Sequence, residues 1–366
     1  MTESVLESTR RSFVSESVAL RFSSPFFAAL SQSCADDQDM LALGEAVRPG
    51  QPPAQFILLA AQFLVFQRPQ SECAGYFPSM LEKPRPVDEA FPVFREFCLD
   101  HCQDLTALLS ERTVNTTLVD RASYILPILH HVARESGAPL SLIEIGCSAG
   151  LNLLFDHYRY DYGLDAIVGE ASSETTIRCR ILDGKPHLDN PMPAIARRVG
   201  VDLVEVDCSS ADERLWMEAM LFPEWIEERR RLRSALAFRA STPLEIVIGN
   251  ALDVLPALIA DMPGPICVLH SHSLGQWSEA SRLGLDRLLC EQSRTRTLHR
   301  IGVEAYGDQP PQRIRERLIK IASAGIPLTR RSLPCPVVHT VYENSAKTER
   351  IIAEVDGLGS WIDWYS

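Results

Sequence analysis

One run restricts the fold of this chain more than any other. Leu140-Ser141-Leu142-Ile143-Glu144-Ile145 leads at once into Gly146-Cys147-Ser148-Ala149-Gly150 and then Leu151-Asn152-Leu153. A short apolar run of this kind is the pattern of a strand buried on both faces, which belongs to a mostly parallel sheet covered by helices. Small residues in the following turn let a ligand approach the backbone, and the start of a helix offers unsatisfied N–H groups. In open α/β sheets ligands bind outside the carboxyl ends of strands, so the turn is the first candidate for a site.

The residue types narrow the ligand. Glu144, two residues before Gly146, suits a ligand bearing an ammonium or hydroxyl groups. A dinucleotide fingerprint would place a glycine at position 148 and a third one later. Adenosylmethionine therefore fits better than a dinucleotide. Gly146-Cys147-Ser148-Ala149-Gly150 also matches the G-x-S-x-G nucleophile elbow of serine hydrolases, with Asp253 and then His270, His272 or His339 in the required order. An elbow usually follows several strands, whereas here a long helical stretch precedes it, with no His-Gly-Gly segment. Glu144 also stands where hydrolases carry an apolar residue. The hydrolase is the weaker alternative, and glycines that serve packing alone are another.

The rest of the chain supplies a sheet for this motif. Residues 1–138 read as a helical domain, with Ser24-Pro25 as a helix start and Gly137 and Pro139 as the final stop. Residues 139–366 read as an α/β domain, with further strands at Val199–Val206, Leu244–Ile248, Ile266–Leu269 and Leu298–Val303. Helical segments separate most of them, including Gln312–Ala324, which predicts a parallel sheet. Val337–Glu343 and Arg350–Val355 predict a closing antiparallel hairpin, and the proline-punctuated stretch 158–196 reads as an insertion.

Charge and apolar runs exclude several classes of partner. A net charge of −12 argues against non-specific nucleic-acid binding. No apolar run reaches the ~20 residues that span a bilayer, and no signal peptide opens the chain, so a cytoplasmic protein is expected. The ten cysteines then read as reduced thiols. Cys98, His101 and Cys102 lack a second ligand pair, and His270-Ser271-His272 lacks a third ligand, so no metal is expected.

The run from Glu144 through Asp156-His157-Tyr158-Arg159-Tyr160-Asp161-Tyr162-Gly163 resembles the hallmark of a bacterial family known as a domain of unknown function, itself similar to adenosylmethionine-dependent methyltransferases. Gly200-Val201-Asp202-Leu203, the Trp225–Leu232 segment and the closing Gly359–Trp364 segment resemble it too. The family's Asn-Glu pair is Thr117-Leu118 here, while Arg121 is kept. The resemblance implies a Rossmann-like methyltransferase domain after a helical one, with adenosylmethionine as cofactor and a small molecule as acceptor. It places Glu144, Gly146, Ser148 and Gly150 in the cofactor loop, Asp202 at the ribose and Asn250 at the adenine edge. His270 and His272 become candidate catalytic groups, with Arg121, Glu304 and Tyr306 as substrate contacts. Glu170 competes with Asp202 by spacing, but only Asp202 is followed by helices that return the chain to a parallel neighbour. A non-catalytic relative that binds an adenosyl ligand remains an alternative, and neither the acceptor nor the oligomeric state is written in the sequence.

Overall fold

The computed structural model describes residues 4–164, 167–188, 191–305, 321–323 and 334–365. It divides into two compact units. The first, helical unit holds α1 (Val5–Ala19), α2 (Pro25–Cys34), α3 (Gln38–Ala42), α4 (Pro53–Gln67), α5 (Ala90–Asp100) and α6 (Cys102–Glu111). The next helix, α7 (Ala122–Ser136), belongs to the second unit, whereas α8 (Ala211–Ala219) and the first half of α9 (Ile226–Ser241) return to the first. The division thus falls at Thr117/Leu118, ahead of the boundary expected at 138, and the excursion 210–233 joins the helices.

Local chemistry explains the helical unit. Ser24 caps α2 by accepting the Phe27 N–H, with Pro25 at the first helical position. Helix α4 is buried along most of its length, from Ala54 to Val65, so it is the central helix of this unit. Its buried Gln62 donates to the carbonyls of Ala219 (2.7 Å) and Leu221 (2.8 Å), satisfying the end of α8. The Arg229 guanidinium, itself buried, donates to the carbonyls of Leu221 (2.9 Å) and Phe222 (3.0 Å). These buried polar ties hold the excursion in place.

The second unit is built on a nine-stranded sheet. Its strands are β1 (Leu140–Ile145), β5 (Arg180–Asp183), β6 (Ile195–Asp202), β7 (Glu245–Ile248), β8 (Ile266–Ser271), β9 (Leu298–Val303), β10 (Pro334–Glu343), β11 (Ala346–Asp356) and β12 (Trp361–Trp364). They lie in the order β5-β12-β11-β10-β9-β8-β1-β6-β7. The five strands β7, β6, β1, β8 and β9 pair in parallel, and β10 and β11 form the expected antiparallel hairpin against β9. Within the expected insertion, β2 (Arg159–Asp161), β3 (Val168–Gly169) and β4 (Thr176–Arg178) make a small sheet of their own, while β5 reaches the far edge beside β12.

Helices α10 (Ala251–Asp261) and α11 (Glu279–Gln292) pack Leu255, Ile259, Leu285 and Leu289 against Ile143, Ile145, Val199 and Val201. Successive side chains of a strand alternate between faces, so Leu142 and Glu144 point to the opposite side. The strand order reverses at β1, which has β6 and β7 on one flank and β8 and β9 on the other. Among the described residues, no helix is long and apolar enough to cross a membrane.

Candidate functional site

The turn after β1 takes its shape from β6. Gly146 and Gly150 adopt left-handed backbone (φ +72° and +75°), and so does Ser148 (φ +50°). The Gly146 N–H donates to the Val201 carbonyl (2.8 Å), the Ser148 N–H to Asp202 Oδ2 (2.7 Å) and the Gly150 N–H to the Cys147 carbonyl (2.8 Å). A Cβ on Gly146 would lie 2.5 Å from Ser273 Cβ, and one on Gly200 would lie 2.5 Å from Cys147 Sγ. Both glycines are there because neighbouring atoms leave no room for a side chain. A short 3₁₀ stretch, Leu151–His157, follows the turn.

These bonds decide what the turn can hold. A phosphate cradle works by aiming free backbone N–H groups at an anion. Here the amides of Gly146, Ser148 and Gly150 already donate within the protein, and two carboxylates flank the turn. Glu144 is buried; its Oε1 accepts from Asn152 Nδ2 at 2.7 Å, and its Oε2 has no hydrogen-bond partner. Burial pushes its carboxyl up to about 8, against the opposing effects of Asn152 and Arg121. Asp202 ends β6, as the topological reading expects. Its Oδ2 accepts the Ser148 amide and its Oδ1 accepts those of Leu203 (2.7 Å) and Val204 (3.4 Å). Glu170, the competitor by spacing, is an exposed residue just after β3 that accepts from the Ser172 amide and hydroxyl.

An apolar shelf adjoins the acids. Leu203 and Val204 follow β6, Ile248 ends β7 opposite Asp202, and all three are exposed. Asn250, also exposed, caps α10 by accepting the Leu252 N–H at 3.0 Å.

The ends of β8 and β9 hold the histidines. His270 is buried, with Nδ1 2.9 Å from Glu304 Oε1 and Nε2 without a partner. Glu304 also accepts the amides of Ser273 (3.2 Å), Leu274 (3.0 Å) and Gly275 (3.2 Å), so it fastens the turn after β8 and orients His270. His270 shares its parity with Ile266 and Val268 and lies on the α10–α11 face, across the sheet from Glu144. His272 adopts left-handed backbone (φ +55°) and its Nε2 has no partner. Burial and the Arg121 charge lower its imidazole to about 4. Arg121, at the start of α7, donates from Nε to the Gly357 carbonyl (3.3 Å) and acts electrostatically on both Glu144 and His272.

The structure thus gathers Glu144, Arg121 and His272 around one region, with the glycine turn and Asp202 beside it; Glu304 borders it through His272 and the Ser273 amide, and His270 lies on the other face of the sheet. Tyr306 lies outside the described residues. The contact a nucleophilic serine requires, its hydroxyl on an imidazole Nε2, is not made by His270 or His272. Sequence reasoning missed Asn152, whose amide orients Glu144 from inside the quoted motif. It also missed Tyr124, whose hydroxyl pairs with Ser271 Oγ at 2.8 Å. The sequence gives no local signal for either, since each contact is made by the tertiary fold.

The sequence profile of the family described as "Uncharacterized protein conserved in bacteria (DUF2332)" matches residues 11–364. No curated protein matches the chain. With almost its whole length covered, the chain belongs to the DUF2332 family.

Proposed function

We propose that this DUF2332 protein is an adenosylmethionine-dependent methyltransferase acting on a small acceptor, with a Rossmann-like methyltransferase domain formed by the second unit. The observation that carries this reading is the turn after β1, whose Gly146, Ser148 and Gly150 amides are already bonded and which the carboxyl groups of Glu144 and Asp202 flank. Such a turn rejects a pyrophosphate and favours a ligand with an ammonium and a sulfonium. In this reading the unpartnered Glu144 Oε2 receives the ammonium of the methionine moiety. A carboxylate offers about four acceptor sites, and Asp202 has three in use, so a ribose hydroxyl takes the last. Leu203, Val204 and Ile248 give the adenine an apolar floor, with Asn250 at its edge. Arg121 holds a carboxylate of cofactor or acceptor, a task suited to a guanidinium.

Methyl transfer needs little covalent chemistry from a protein; it needs donor and acceptor held in line. His272 is the side chain placed to work on the acceptor. Its Nε2 has no partner within the protein, and in this reading it takes the proton of an acceptor hydroxyl or amine as the methyl arrives.

The test is transfer of an isotope-labelled methyl group from adenosylmethionine to the low-mass fraction of a bacterial extract. The reading expects label in a small molecule, dependent on His272 and removed by excess adenosylhomocysteine. Tight adenosylmethionine binding with no labelled product would reduce the protein to a non-catalytic binder. Failure of both binding and transfer would sink the proposal.

A further inference from the structure

A second polar cluster lies on α7 and the hairpin. His131 and Glu135 stand one turn apart on α7, and His339 reaches them from β10. One ligand-type atom from each, His131 Nε2, a Glu135 carboxylate oxygen and His339 Nδ1, lies within 4.8 Å of the others. Both histidines are buried, and the His339 side chain is fully so.

Hydrogen-bond bookkeeping fixes which way the His339 lone pair points. The Ser136 hydroxyl donates its one proton to the Val132 carbonyl at 2.8 Å, so toward His299 Nε2, 3.1 Å away, it must accept. His299 Nε2 therefore carries its proton, and the neutral ring presents a lone pair at Nδ1. That lone pair accepts from His339 Nε2, 3.0 Å away. His339 Nδ1 is left as a bare acceptor, aimed at Glu135 Oε2 (3.7 Å). The Ser136–His299 pair thus orients His339 as the outer partners of metal-bound histidines orient their rings.

Three acceptors facing one point require a cation. In the structure a single atom, Arg350 Nη2, meets them: it lies 3.1 Å from His131 Nε2 and 3.4 Å from His339 Nδ1, and it is paired with Glu135. That nitrogen carries two hydrogens for the three groups it meets. The Arg350 side chain is 48% exposed and can leave toward solvent.

We propose that His131, Glu135 and His339 form a site for a divalent transition metal ion of the zinc type, which Arg350 covers when the ion is missing. Two imidazoles and a carboxylate are a set that zinc favours, and three protein ligands leave a further position for water or an incoming group. The ligand atoms must close in by about an ångström to reach the ~2.0–2.2 Å of such bonds. The site also ties α7 to the closing hairpin.

The test uses the full chain, freed of metal by a chelator, and zinc alone as probe, titrated against a chromophoric competitor. The expected result is one equivalent of zinc bound to wild type, at least tenfold more weakly to Glu135→Gln and His131→Ala, and more tightly to Arg350→Ala. Glu135 is partly solvent-facing, so the isosteric Glu135→Gln tests a ligand without opening a cavity, and circular dichroism confirms that each variant is folded. No zinc bound by wild type would overturn the proposal. So would zinc that binds Glu135→Gln and His131→Ala as tightly as wild type, or zinc that binds only after Arg350 is removed, since Arg350 would then be the permanent cation.

Discussion

Two acids decide the account at the scale of single residues. Burial raises the Glu144 carboxyl to about 8, so the folded chain binds that proton more tightly than the unfolded chain does. The stabilisation this gives is complete below the ordinary carboxylate range and is lost as the pH rises toward 8. Glu144→Gln removes the charge and keeps the shape. The variant should therefore be more stable than wild type in mildly alkaline solution, by an amount on the order of a few kcal/mol, and should match it in acid. Denaturant midpoints across that range check the sign; a pH-independent difference would contradict it. The same variant should bind adenosylmethionine about tenfold more weakly, the loss of a charge-assisted bond worth ~1.5–3 kcal/mol. Gain in stability with loss of affinity is the signature of a residue kept for its ligand.

Asp202 has a second duty, since it holds the Ser148 amide as well as the proposed ribose. Asp202→Ala should weaken adenosyl-ligand affinity by about tenfold or more, whereas the exposed Glu170→Ala should leave it unchanged in a calorimetric titration. The reverse pattern would move the ribose contact to Glu170. Asp202 was legible as a candidate because it ends an apolar run. Its grip on the turn was not, because that bond links residues 54 apart in sequence.

Strands and turns were the most legible elements, and the places where their ends shifted have physical causes. The second strand was expected to run to Val206 but stops at Asp202. There the aspartate side chain accepts the amides of Leu203 and Val204 and turns the chain out of the sheet. Apolar residues thus leave the sheet and become the exposed shelf, which an apolar-run rule reads as more strand. The proline-rich stretch was rightly seen as a break in the helix–strand alternation. Its small sheet was invisible, since strands of two and three residues carry no usable period. The turn after β1 gives the prediction at this scale. Gly146→Ala forces a Cβ to 2.5 Å from Ser273 Cβ in a left-handed conformation. It should lower stability by about 1–3 kcal/mol and abolish ligand binding together. A variant as stable as wild type would show that the turn is not built as described.

Across the whole molecule, the α/β class was readable in the sequence. Alternation of strand and helix announced a mostly parallel sheet, and the closing hairpin was visible from its two apolar runs. The helical unit's claim on residues 210–233 rests on the buried bonds of Gln62 and Arg229, which link residues far apart in sequence. Polar residues in a helical pattern read as solvated, and only the fold reveals which of them are buried. Whether the turn after β1 takes an adenosyl ligand is read from the thermal midpoint of the full chain with ligands near millimolar. Selective binding to the folded state raises that midpoint. A rise is expected with adenosylmethionine or adenosylhomocysteine and none with NAD or ATP. No shift with the adenosyl ligands, beside a clear rise with NAD or ATP, would contradict it.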